Sequence, residues 1–432
     1  MLKSVSVSVK YMQMALKMAR HGVGSVEPNP AVGVIIVKAN QIIGKGWHKK
    51  FGGPHAEINA LQDCKTLGVN PRGATMYVTL EPCCHQGKTG PCTEAIIAAG
   101  VAKVFVATID PSEHANGKGI EQLRNAGIQV ETGVCETEAK LINAPFIKFA
   151  STGNCWVILK WAQSIDGKLA WAKKSDPAPI DRSMAVSPKS SATNGLGSPI
   201  GAGWISNEVS RRDVQRLRRR AGAVLVGINT VIADDPLLIP RPSTGKKITR
   251  IVLDTYLRIP LECKLLATTK DSPVLILAGE PSVQANQQIV QVITEKGAEV
   301  LAYPEIPGRS NLYFLLDELR KRGIAQLLVE GGPTVIGSFL KEQLADEICI
   351  YISPRILGQE GTADIARPMA ELAASFGLFC VEAKLFGDDV RLRGFSEKTL
   401  KELSILGGYD YEKDRSSGSA DYTGNQGGGQ SA

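Results

Sequence analysis

The N-terminal half of the chain contains the stretch Gly53-Pro54-His55-Ala56-Glu57, followed by Pro82-Cys83 and then by Cys92. One imidazole and two thiolates are ligands that zinc prefers, and a site with three protein ligands keeps a fourth position open. Zinc lowers the pKa of a bound water to about 7, and a nearby carboxylate can move the protons. We therefore predict that His55, Cys83 and Cys92 hold one Zn²⁺ and that Glu57 is catalytic.

The local sequence places these residues at the ends of helices and strands. Pro54 precedes an apolar run, which indicates a helix with the imidazole and the carboxylate in its first turn. The segment 74–78 is typical of a strand and ends shortly before Cys83. Cys92 opens a helix that ends at Gly100, and a thiolate is favoured at a helix N-terminus. The alternative is a set of buried free thiols around one core histidine.

The spacing of the two cysteines narrows the class of substrate. Eight residues separate Cys83 from Cys92, whereas zinc deaminases of nucleosides and nucleic acids usually have two between their cysteines. The longer interval adds a loop with His85, Lys88 and Thr89 beside the predicted metal. These side chains are typical of a phosphate-binding arrangement.

The segment from His55 to Cys92 resembles the deaminase half of the bifunctional deaminase/reductase family of riboflavin biosynthesis. Upstream, residues 27–33 (Glu-Pro-Asn-Pro-Ala-Val-Gly) are similar to the Asn-Pro-x-Val-Gly loop of that family. The resemblance implies a cytidine-deaminase-like three-layer α/β/α domain. It also implies substrate contacts at Asn29, His85 and Lys88.

The sequence departs from the family pattern at two positions. Cys84 stands where the family usually has Ser, and Gly90 stands where it usually has Pro. Cys84 is an alternative zinc ligand to Cys83, although the family's ligand is the cysteine that follows Pro.

The second half contains a glycine turn between an apolar strand and a helix, within residues 326–340. Gly331 and Gly332 let the backbone approach a phosphate, and the helix N-terminus favours its charge. The turn lacks the Rossmann Gly-x-Gly-x-x-Gly spacing, so a plain strand-to-helix connection is an equal alternative.

A second resemblance supports a nucleotide-binding interpretation of this turn. Residues 159–168, 204–206, 226–238 and 329–332 are similar, in the same order, to the reductase half of the same family. That half has a dihydrofolate-reductase-like α/β fold and uses NADPH, so the resemblance implies both for this chain.

The resemblance also assigns residues to the reductase site. It implies cofactor contacts at the following positions: Ala162, Trp204, Thr230, Asp234, Gly332, Pro333, Thr334, Val335, Ile336, Gly337 and Ser338. It implies substrate contacts at Arg218, Leu238, Arg241 and Glu330. Either Arg218 or Arg241 can hold a ribose phosphate.

Alternating helix and strand patterns predict two α/β domains. We place a zinc deaminase domain at 1–150 and an NADPH-dependent reductase domain at 151–398. Strands of the second domain are predicted at 155–160, 223–226, 249–253, 273–277, 326–329 and 347–352. Residues 172–203 are rich in Ser, Pro, Lys and Gly and predict a disordered insert. Residues 399–432 are assigned to a disordered Gly/Ser-rich tail.

Composition predicts an ordinary globular protein of the cytoplasm. The hydrophobic fraction of 43% and charged fraction of 22% are those of globular chains. No apolar run is long enough to span a bilayer, and residues 1–10 lack the apolar core of a secretory signal. Nine cysteines, an odd number, argue against a disulfide framework and predict a reducing compartment. The pattern leaves the oligomeric state open, and a homo-oligomer is compatible with it.

The net charge of +7 comes largely from one basic helix, predicted within residues 211–220. Such a helix can bind nucleic acid, form a solvated face or contribute to a pocket for a phosphorylated ligand. The rest of the chain has no extended basic or aromatic stripe, so we expect no nucleic-acid partner.

We expect two successive reactions on one phosphorylated pyrimidine. Zinc-dependent hydrolysis removes ammonia from a 2,5-diamino-6-ribosylamino-pyrimidinone 5′-phosphate, and NADPH then reduces its ribosyl group to ribityl. One rival is a deaminase of tRNA or single-stranded DNA, and the long cysteine interval and the second half argue against it. A second rival keeps one working half and uses the other as a scaffold.

Overall fold

The structure is a computed structural model of the full chain. It describes residues 6–86, 90–171, 204–242, 245–304, 310–373 and 375–405. The predicted substrate contact Lys88, the predicted insert 172–203 and the tail from residue 406 lie outside the described residues.

The N-terminal half is a five-stranded sheet with helices on both faces. Its helices are α1 (Val7–Arg20), α2 (Ala56–Thr66), α3 (Cys92–Ala98), α4 (Lys118–Asn125) and α5 (Glu136–Thr152). Its strands are β1 (Gly33–Lys38), β2 (Gln41–Trp47), β3 (Thr75–Val78), β4 (Lys103–Val106) and β5 (Gln129–Thr132). The strand order is β2-β1-β3-β4-β5. β1 and β2 pair antiparallel as a hairpin.

Alternation along β1 explains the three layers, because successive side chains of a strand point to opposite faces. Val34 and Ile36 join the cluster formed with α2, α3 and α4. Ile35 and Val37 join the cluster formed with α1 and α5. The predicted three-layer α/β/α arrangement is confirmed.

The C-terminal half contains a nine-stranded sheet and a separate two-stranded sheet. Its strands are β6 (Trp156–Ser164), β7 (Lys168–Trp171), β8 (Ala223–Gly227), β9 (Thr249–Leu253), β10 (Val274–Gly279), β11 (Glu299–Tyr303), β12 (Gln326–Val329), β13 (Glu347–Ser353), β14 (Gly361–Asp364), β15 (Leu378–Phe386) and β16 (Asp389–Ser396). Its helices are α6 (Glu208–Arg220), α7 (Ile228–Asp234), α8 (Lys264–Ala267), α9 (Glu280–Ala285), α10 (Gln287–Glu295), α11 (Asn311–Lys321), α12 (Pro333–Lys341), α13 (Ala366–Ala370) and α14 (Glu397–Glu402).

Seven neighbouring strands of this sheet are parallel. The order is β11-β10-β9-β8-β12-β6-β13-β16-β15, and β7 pairs with β14 in a separate two-stranded sheet. All pairings from β11 to β13 are parallel, whereas β13, β16 and β15 pair antiparallel. Helices cover both faces of the parallel part, and its strands are therefore almost continuously apolar.

All six predicted strands of this half are present, and its described residues form five further strands that were not predicted. The missed strands are β7, β11, β14, β15 and β16. β15 shows the reason most clearly. It lies at the sheet edge and is exposed along most of its length, and Glu382 and Lys384 interrupt the continuous apolar run that is typical of a buried strand.

The two domain limits need adjustment. The limit between residues 150 and 151 falls inside α5, whose C-terminal part packs into the core of the second half through Ile147. The limit at 399 is wrong, because the chain is helical to Glu402 and packed to Ile405. Leu400 and Leu403 are buried at helical spacing, which binds this segment to the reductase core.

Among the described residues, no helix is both long enough and apolar enough to cross a membrane.

Candidate active sites

The three predicted zinc ligands occupy the ends of three adjacent elements. His55 is the N-cap residue of α2, and Cys92 is the first residue of α3. Cys83 lies in the segment that leaves β3. These placements confirm the local structure predicted from Pro54 and from the apolar runs.

The ligand atoms are close enough to share one ion. The Nδ1 atom of His55 lies 3.4 Å from Cys83 Sγ and 3.3 Å from Cys92 Sγ. All three ligand atoms lie within 4.8 Å of one another. Bonds of 2.0–2.3 Å in a tetrahedral zinc site separate ligand atoms by about 3.3–3.8 Å, so this donor set fits zinc. It is the single such cluster of His, Cys, Asp and Glu in the described parts of the chain.

Hydrogen bonds inside the cluster shift the pKa values of its three groups in different directions. The hydrogen bond from Cys92 lowers the pKa of the Cys83 thiol to about 4. The backbone N–H of Cys92 also donates to Cys83 Sγ, at 3.4 Å. In turn, the hydrogen bond to Cys83 raises the pKa of Cys92 and that of His55. The Cys83 thiolate is thus available to a cation, whereas Cys92 and His55 must lose a proton to bind one.

Glu57 lies beside the cluster without belonging to it. It is 3% exposed, in the first turn of α2, and its carboxyl group is hydrogen-bonded with the thiol of Cys92. Burial raises the pKa of Glu57 to about 7. A carboxyl group with such a pKa can accept and return a proton near neutral pH.

Cys84 does not join the ligand cluster. Its Sγ atom lies 3.7 Å from the backbone oxygen of His114, on the other side of the loop. The neighbouring His85 is exposed, and its ring lies 5.6 Å from the ring of His114. The predicted phosphate-binding loop is therefore represented by His85 alone among the described residues, since Lys88 lies outside them.

The loop that carries Asn29 is held by a buried amide of α5. Asn143 accepts from the backbone N–H of Ala31 at 2.8 Å and donates to its carbonyl at 3.1 Å. The side chain of Asn29 is half-buried. This clamp fixes the backbone of the loop relative to the sheet.

One neighbour of the cluster was not predicted. His48 is 3% exposed, and its ring lies 5.4 Å from that of His55. Burial lowers its pKa, which favours the neutral imidazole. Its Nε2 atom is buried without a hydrogen-bond partner among the described residues. A single histidine after a strand carries no sequence signal that would have revealed this position.

In the second half, three of the predicted cofactor residues lie at one edge of the parallel sheet. Thr230 and Asp234 lie on α7, which follows β8, and Gly332 is the N-cap residue of α12, which follows β12. Because β8 and β12 are parallel neighbours, their carboxyl ends meet, and ligands of such sheets bind at that edge. Val335 packs between the two turns, since a Cβ atom added to Gly227 or Gly331 would lie 2.8 Å from it.

The stretch Gly332–Ser338 has an open part and a buried part. Gly332, Pro333 and Thr334 form the start of α12 at the sheet edge. Ile336 is fully buried in the core, and a Cβ atom at Gly337 would lie 2.6 Å from Pro368 of α13. The structure therefore places the start of this stretch, rather than its whole length, where a ligand can reach it.

Trp204 and Ala162 occupy two further positions assigned to the cofactor. Trp204 is 63% exposed, and the guanidinium of Arg211 lies 5.3 Å from its ring centre. Ala162 is half-buried on β6, opposite Tyr351 of β13.

Arg218 and Glu330 form a buried ion pair. Arg218 Nε donates to Glu330 Oε1 at 2.6 Å, and Nη2 donates to Oε2 at 3.0 Å. Lys160 of β6 lies 3.9 Å from the same carboxylate. Burial alone would raise the pKa of Glu330, but Arg218 and Lys160 hold it below its usual value. Burial lowers the pKa of Lys160.

The sequence analysis missed Lys160 as a site residue. The available signal was a lysine in the middle of the otherwise apolar strand β6, where a buried cation needs a partner.

Leu238 and Arg241 lie on a loop anchored to α6 and to a buried arginine. The backbone N–H of Arg241 donates to Gln215 at 2.9 Å, and Arg250 donates to the carbonyl of Leu237 at 3.2 Å. Leu238 has a φ of 56°, a conformation uncommon for a residue with a side chain. Arg241 itself is exposed.

The donor set of the first half fits a zinc-dependent deaminase, and the sheet edge of the second half fits a nucleotide-binding reductase. Residues 6–108 match the family described as the cytidine and deoxycytidylate deaminase zinc-binding region. Residues 155–390 match the family described as the RibD C-terminal domain. The deaminase-like and dihydrofolate-reductase-like folds are thereby confirmed.

Similar proteins match both halves at once. Riboflavin biosynthesis protein RibD of Aquifex aeolicus is 41% identical over 354 residues, which cover 82% of this chain and 88% of that protein. A solved structure of Acinetobacter baumannii RibD has a TM-score of 0.68 at 35% identity and covers 90% of this chain and 98% of its own. A diaminohydroxyphosphoribosylaminopyrimidine deaminase/5-amino-6-(5-phosphoribosylamino)uracil reductase of Thermotoga maritima has a TM-score of 0.67 at 30% identity, with the same coverage.

The chain therefore belongs to the family of riboflavin biosynthesis protein RibD. It is a bifunctional deaminase and reductase of riboflavin biosynthesis, and its cofactors are Zn²⁺ and NADPH.

Proposed function

We propose that the N-terminal site deaminates 2,5-diamino-6-ribosylamino-4(3H)-pyrimidinone 5′-phosphate and that the C-terminal site reduces the deaminated product to its ribityl form. The observation that supports this proposal best is the joint placement of His55, Cys83, Cys92 and the buried Glu57 in a chain that also carries a reductase half.

In the deaminase site, His55, Cys83 and Cys92 would hold zinc. Zinc, when bound, supplies Lewis-acid activation of water at neutral pH. The Glu57 carboxylate would take a proton from the attacking water and deliver protons to the ring nitrogen and to the leaving amine. Burial, which raises the pKa of Glu57 to about 7, suits both steps. Asn29 and His85 would orient the substrate from the two loops beside the ligands, and Lys88 of the same loop would meet its phosphate.

In the reductase site, NADPH, when bound, supplies a hydride for the ribose C1′ carbon. Thr230 and Asp234 on α7 and the first residues of α12 would hold the cofactor at the edge of the sheet. Ala162 and Trp204 would complete its contacts. The remaining assigned stretch, from Val335 to Ser338, would act through its packing and its backbone.

The substrate of the reductase site would lie between α6 and β12. Glu330, held by Arg218, can accept hydrogen bonds from the ribose hydroxyls. Arg218 is already engaged by this carboxylate, so Arg241 is the better candidate for the phosphate. Leu238, on the same loop, has its side chain buried in the core and would contribute through its backbone.

The arginines of α6 favour a small-molecule substrate over a nucleic acid. Arg218 pairs with Glu330, Arg220 lies 3.5 Å from the buried Glu347, and Arg211 lies over Trp204. These charges are used inside the domain, and a basic face for phosphate backbones would need them free. Nucleic acid retained through purification in high salt would contradict this view.

We further propose a cytoplasmic enzyme, because the Cys83 and Cys92 thiolates must stay reduced to bind zinc. A homo-oligomer stays a prediction, which light scattering on the purified chain would test.

Mass analysis of the products tests both activities. With the diamino substrate alone, the product should carry oxygen in place of one amino group. With NADPH added, it should also gain a pair of hydrogen atoms. Release of ammonia without any reduction, or reduction without deamination, would leave one half as a scaffold.

A further inference from the structure

Glu81 is a buried carboxylate close to the zinc cluster, and its partners are all backbone groups. It is 4% exposed and lies two residues before Cys83. Its Oε1 atom accepts from the N–H groups of Gly119 at 2.8 Å and Ile120 at 3.3 Å. Its Oε2 atom accepts from those of Gly117 at 2.9 Å and Asp110 at 3.2 Å.

These bonds complete the first turn of α4. Gly119 and Ile120 lie in that turn, where backbone N–H groups have no partner within the helix. The N-cap residue of α4 is Gly117, which has no side chain to accept from them. Glu81 therefore caps α4 from another segment of the chain, and its negative charge suits the positive end of the helix.

The capped helix touches both segments that carry the cysteines. A Cβ atom at Gly119 would lie 2.2 Å from the carbonyl oxygen of Pro82, the residue before Cys83, so only glycine allows this approach. Gln122 of α4 accepts from the hydroxyl of Thr93 at 2.7 Å. Thr93 follows Cys92 and donates its backbone N–H to the carbonyl of Cys83 at 3.2 Å. A displacement of α4 would move both thiolates.

We propose that Glu81 is a positioning residue that holds Cys83 and Cys92 at the spacing the metal requires, by fixing α4 against the ligand segments. The proposal rests on the assignment of these cysteines as zinc ligands. Glu81 is not itself a ligand, because its two oxygens each accept two N–H groups and it lies outside the group of ligand atoms formed by His55, Cys83 and Cys92.

The substitution Glu81→Gln tests this role, because it keeps the shape and replaces one acceptor oxygen with an amide that can only donate. Two backbone N–H groups then lose their partner. We expect the zinc affinity, measured by competition with a chelator, to fall about 10–100-fold, as it does when a partner of a metal ligand is removed. The visible spectrum of the Co²⁺-substituted protein should shift, since it reports the geometry of the two thiolates.

Glu94→Gln is the matched control, because Glu94 is an exposed carboxylate in the first turn of α3 and lies as close in sequence to Cys92. It should leave the zinc affinity and the Co²⁺ spectrum unchanged. Reduction of externally supplied deaminated substrate by the same Glu81→Gln protein reports whether the chain is folded.

Unchanged zinc affinity and an unchanged Co²⁺ spectrum in Glu81→Gln would overturn the proposal. If Glu81→Gln lost both zinc affinity and reduction, Gly119→Ala would decide, since its Cβ atom would meet the Pro82 carbonyl and the Glu81 side chain and press α4 away from both. The Gly119→Ala protein should show the same spectral shift, and its absence would again overturn the proposal. Retention of zinc by Cys83→Ser and Cys92→Ser would instead contradict the metal site itself.

Discussion

Arg218 and Glu330 form a bidentate ion pair in the reductase half, with Nε to Oε1 at 2.6 Å and Nη2 to Oε2 at 3.0 Å. Both side chains are largely buried, at 13% and 10% exposure. The sequence left Arg218 and Arg241 as equal candidates for the ribose phosphate. The ion pair favours Arg241 as the phosphate ligand. The guanidinium of Arg218 already donates to both oxygens of a carboxylate and has few N–H groups left for a second anion.

The first prediction follows from this choice. Arg241→Met should raise the KM of the reductase for the phosphorylated substrate by about tenfold or more, which corresponds to the loss of one charge-assisted hydrogen bond. The KM for the same substrate without its phosphate should not change. Arg216→Met, an exposed arginine of α6, is the control. An equal rise for both substrates would show that Arg241 does not read the phosphate.

The second prediction concerns the metal ligands. Cys83→Ser and Cys92→Ser should each lose most of the bound zinc, because serine is a much poorer ligand for zinc than a thiolate. Cys84→Ser should keep its zinc, since Cys84 Sγ faces the carbonyl of His114 and not the cluster. Metal analysis of the purified variants measures both. If Cys84→Ser lost its zinc and Cys83→Ser kept it, Cys84 rather than Cys83 would be the ligand.

The third prediction separates metal binding from proton transfer. Glu57→Gln should keep zinc and lower the rate of ammonia release by about 10²–10⁴-fold, because an amide cannot accept the proton. The substitution removes a carboxyl group that is 3% exposed without changing its volume, so the fold should persist. A variant that releases ammonia at a near-normal rate would refute the role of Glu57.

The deaminase site was predictable because its residues stand at element ends that the sequence signals. Pro54 marks the start of α2, and Gly100 marks the end of α3. A histidine and cysteines at such helix ends are typical of a metal site. His48, Lys160 and Glu81 do not stand at such positions, and only Lys160 left a signal, as a lysine within an apolar run. Each acquires its importance from a neighbour distant in sequence, such as Glu330 for Lys160 or the first turn of α4 for Glu81.

The same distinction explains the errors in the fold. Apolar runs in the sequence predict buried parallel strands, and all six strands predicted in this way are present. The edge strand β15 is exposed over most of its length, and Glu382 and Lys384 interrupt its apolar residues, so it lacks the continuous apolar run that identified the other strands. The disordered tail was predicted to begin too early in the chain. Its composition received more weight than the helical spacing of the buried Leu400 and Leu403.

The fourth prediction concerns stability in acid. Burial alone would raise the pKa of Glu347, but Arg393 and Arg220 hold it well below its usual range. A carboxyl group whose pKa is depressed by folding stabilises the protein above its unfolded pKa of about 4.3 and loses that contribution as the pH falls toward the folded value. The reductase half should therefore lose stability progressively below about pH 4.3.

Glu347→Gln should weaken this dependence on pH and lower the stability at pH 7 by about 3–5 kcal/mol, because it leaves two buried arginines without their partner. Urea unfolding followed by tryptophan fluorescence measures both effects, since Trp156 donates to Glu347 at 3.2 Å. If Glu347→Gln lost stability in acid to the same extent as the unsubstituted protein, other carboxylates would be responsible for the pH dependence of stability.

The last prediction is that the two active sites work independently, although the halves are in contact. Lys148 of α5 forms an ion pair with Asp346 at 2.7 Å, and α5 packs into both cores, so the halves are fixed to each other. Each site nevertheless takes its assigned residues from one half. Glu57→Gln should therefore still reduce deaminated substrate supplied from outside, with NADPH consumed.

The reciprocal variant is Asp234→Lys, which reverses a charge at the exposed end of α7 and should abolish reduction while ammonia release continues. Each active site depends on its own preorganised surroundings, and a change in one half reaches the other only through stability or docking. Circular dichroism and zinc content would show that both variants are folded. If either folded variant lost both activities, the sites would not be separate, and one composite site shared by the two halves would account for the chemistry better.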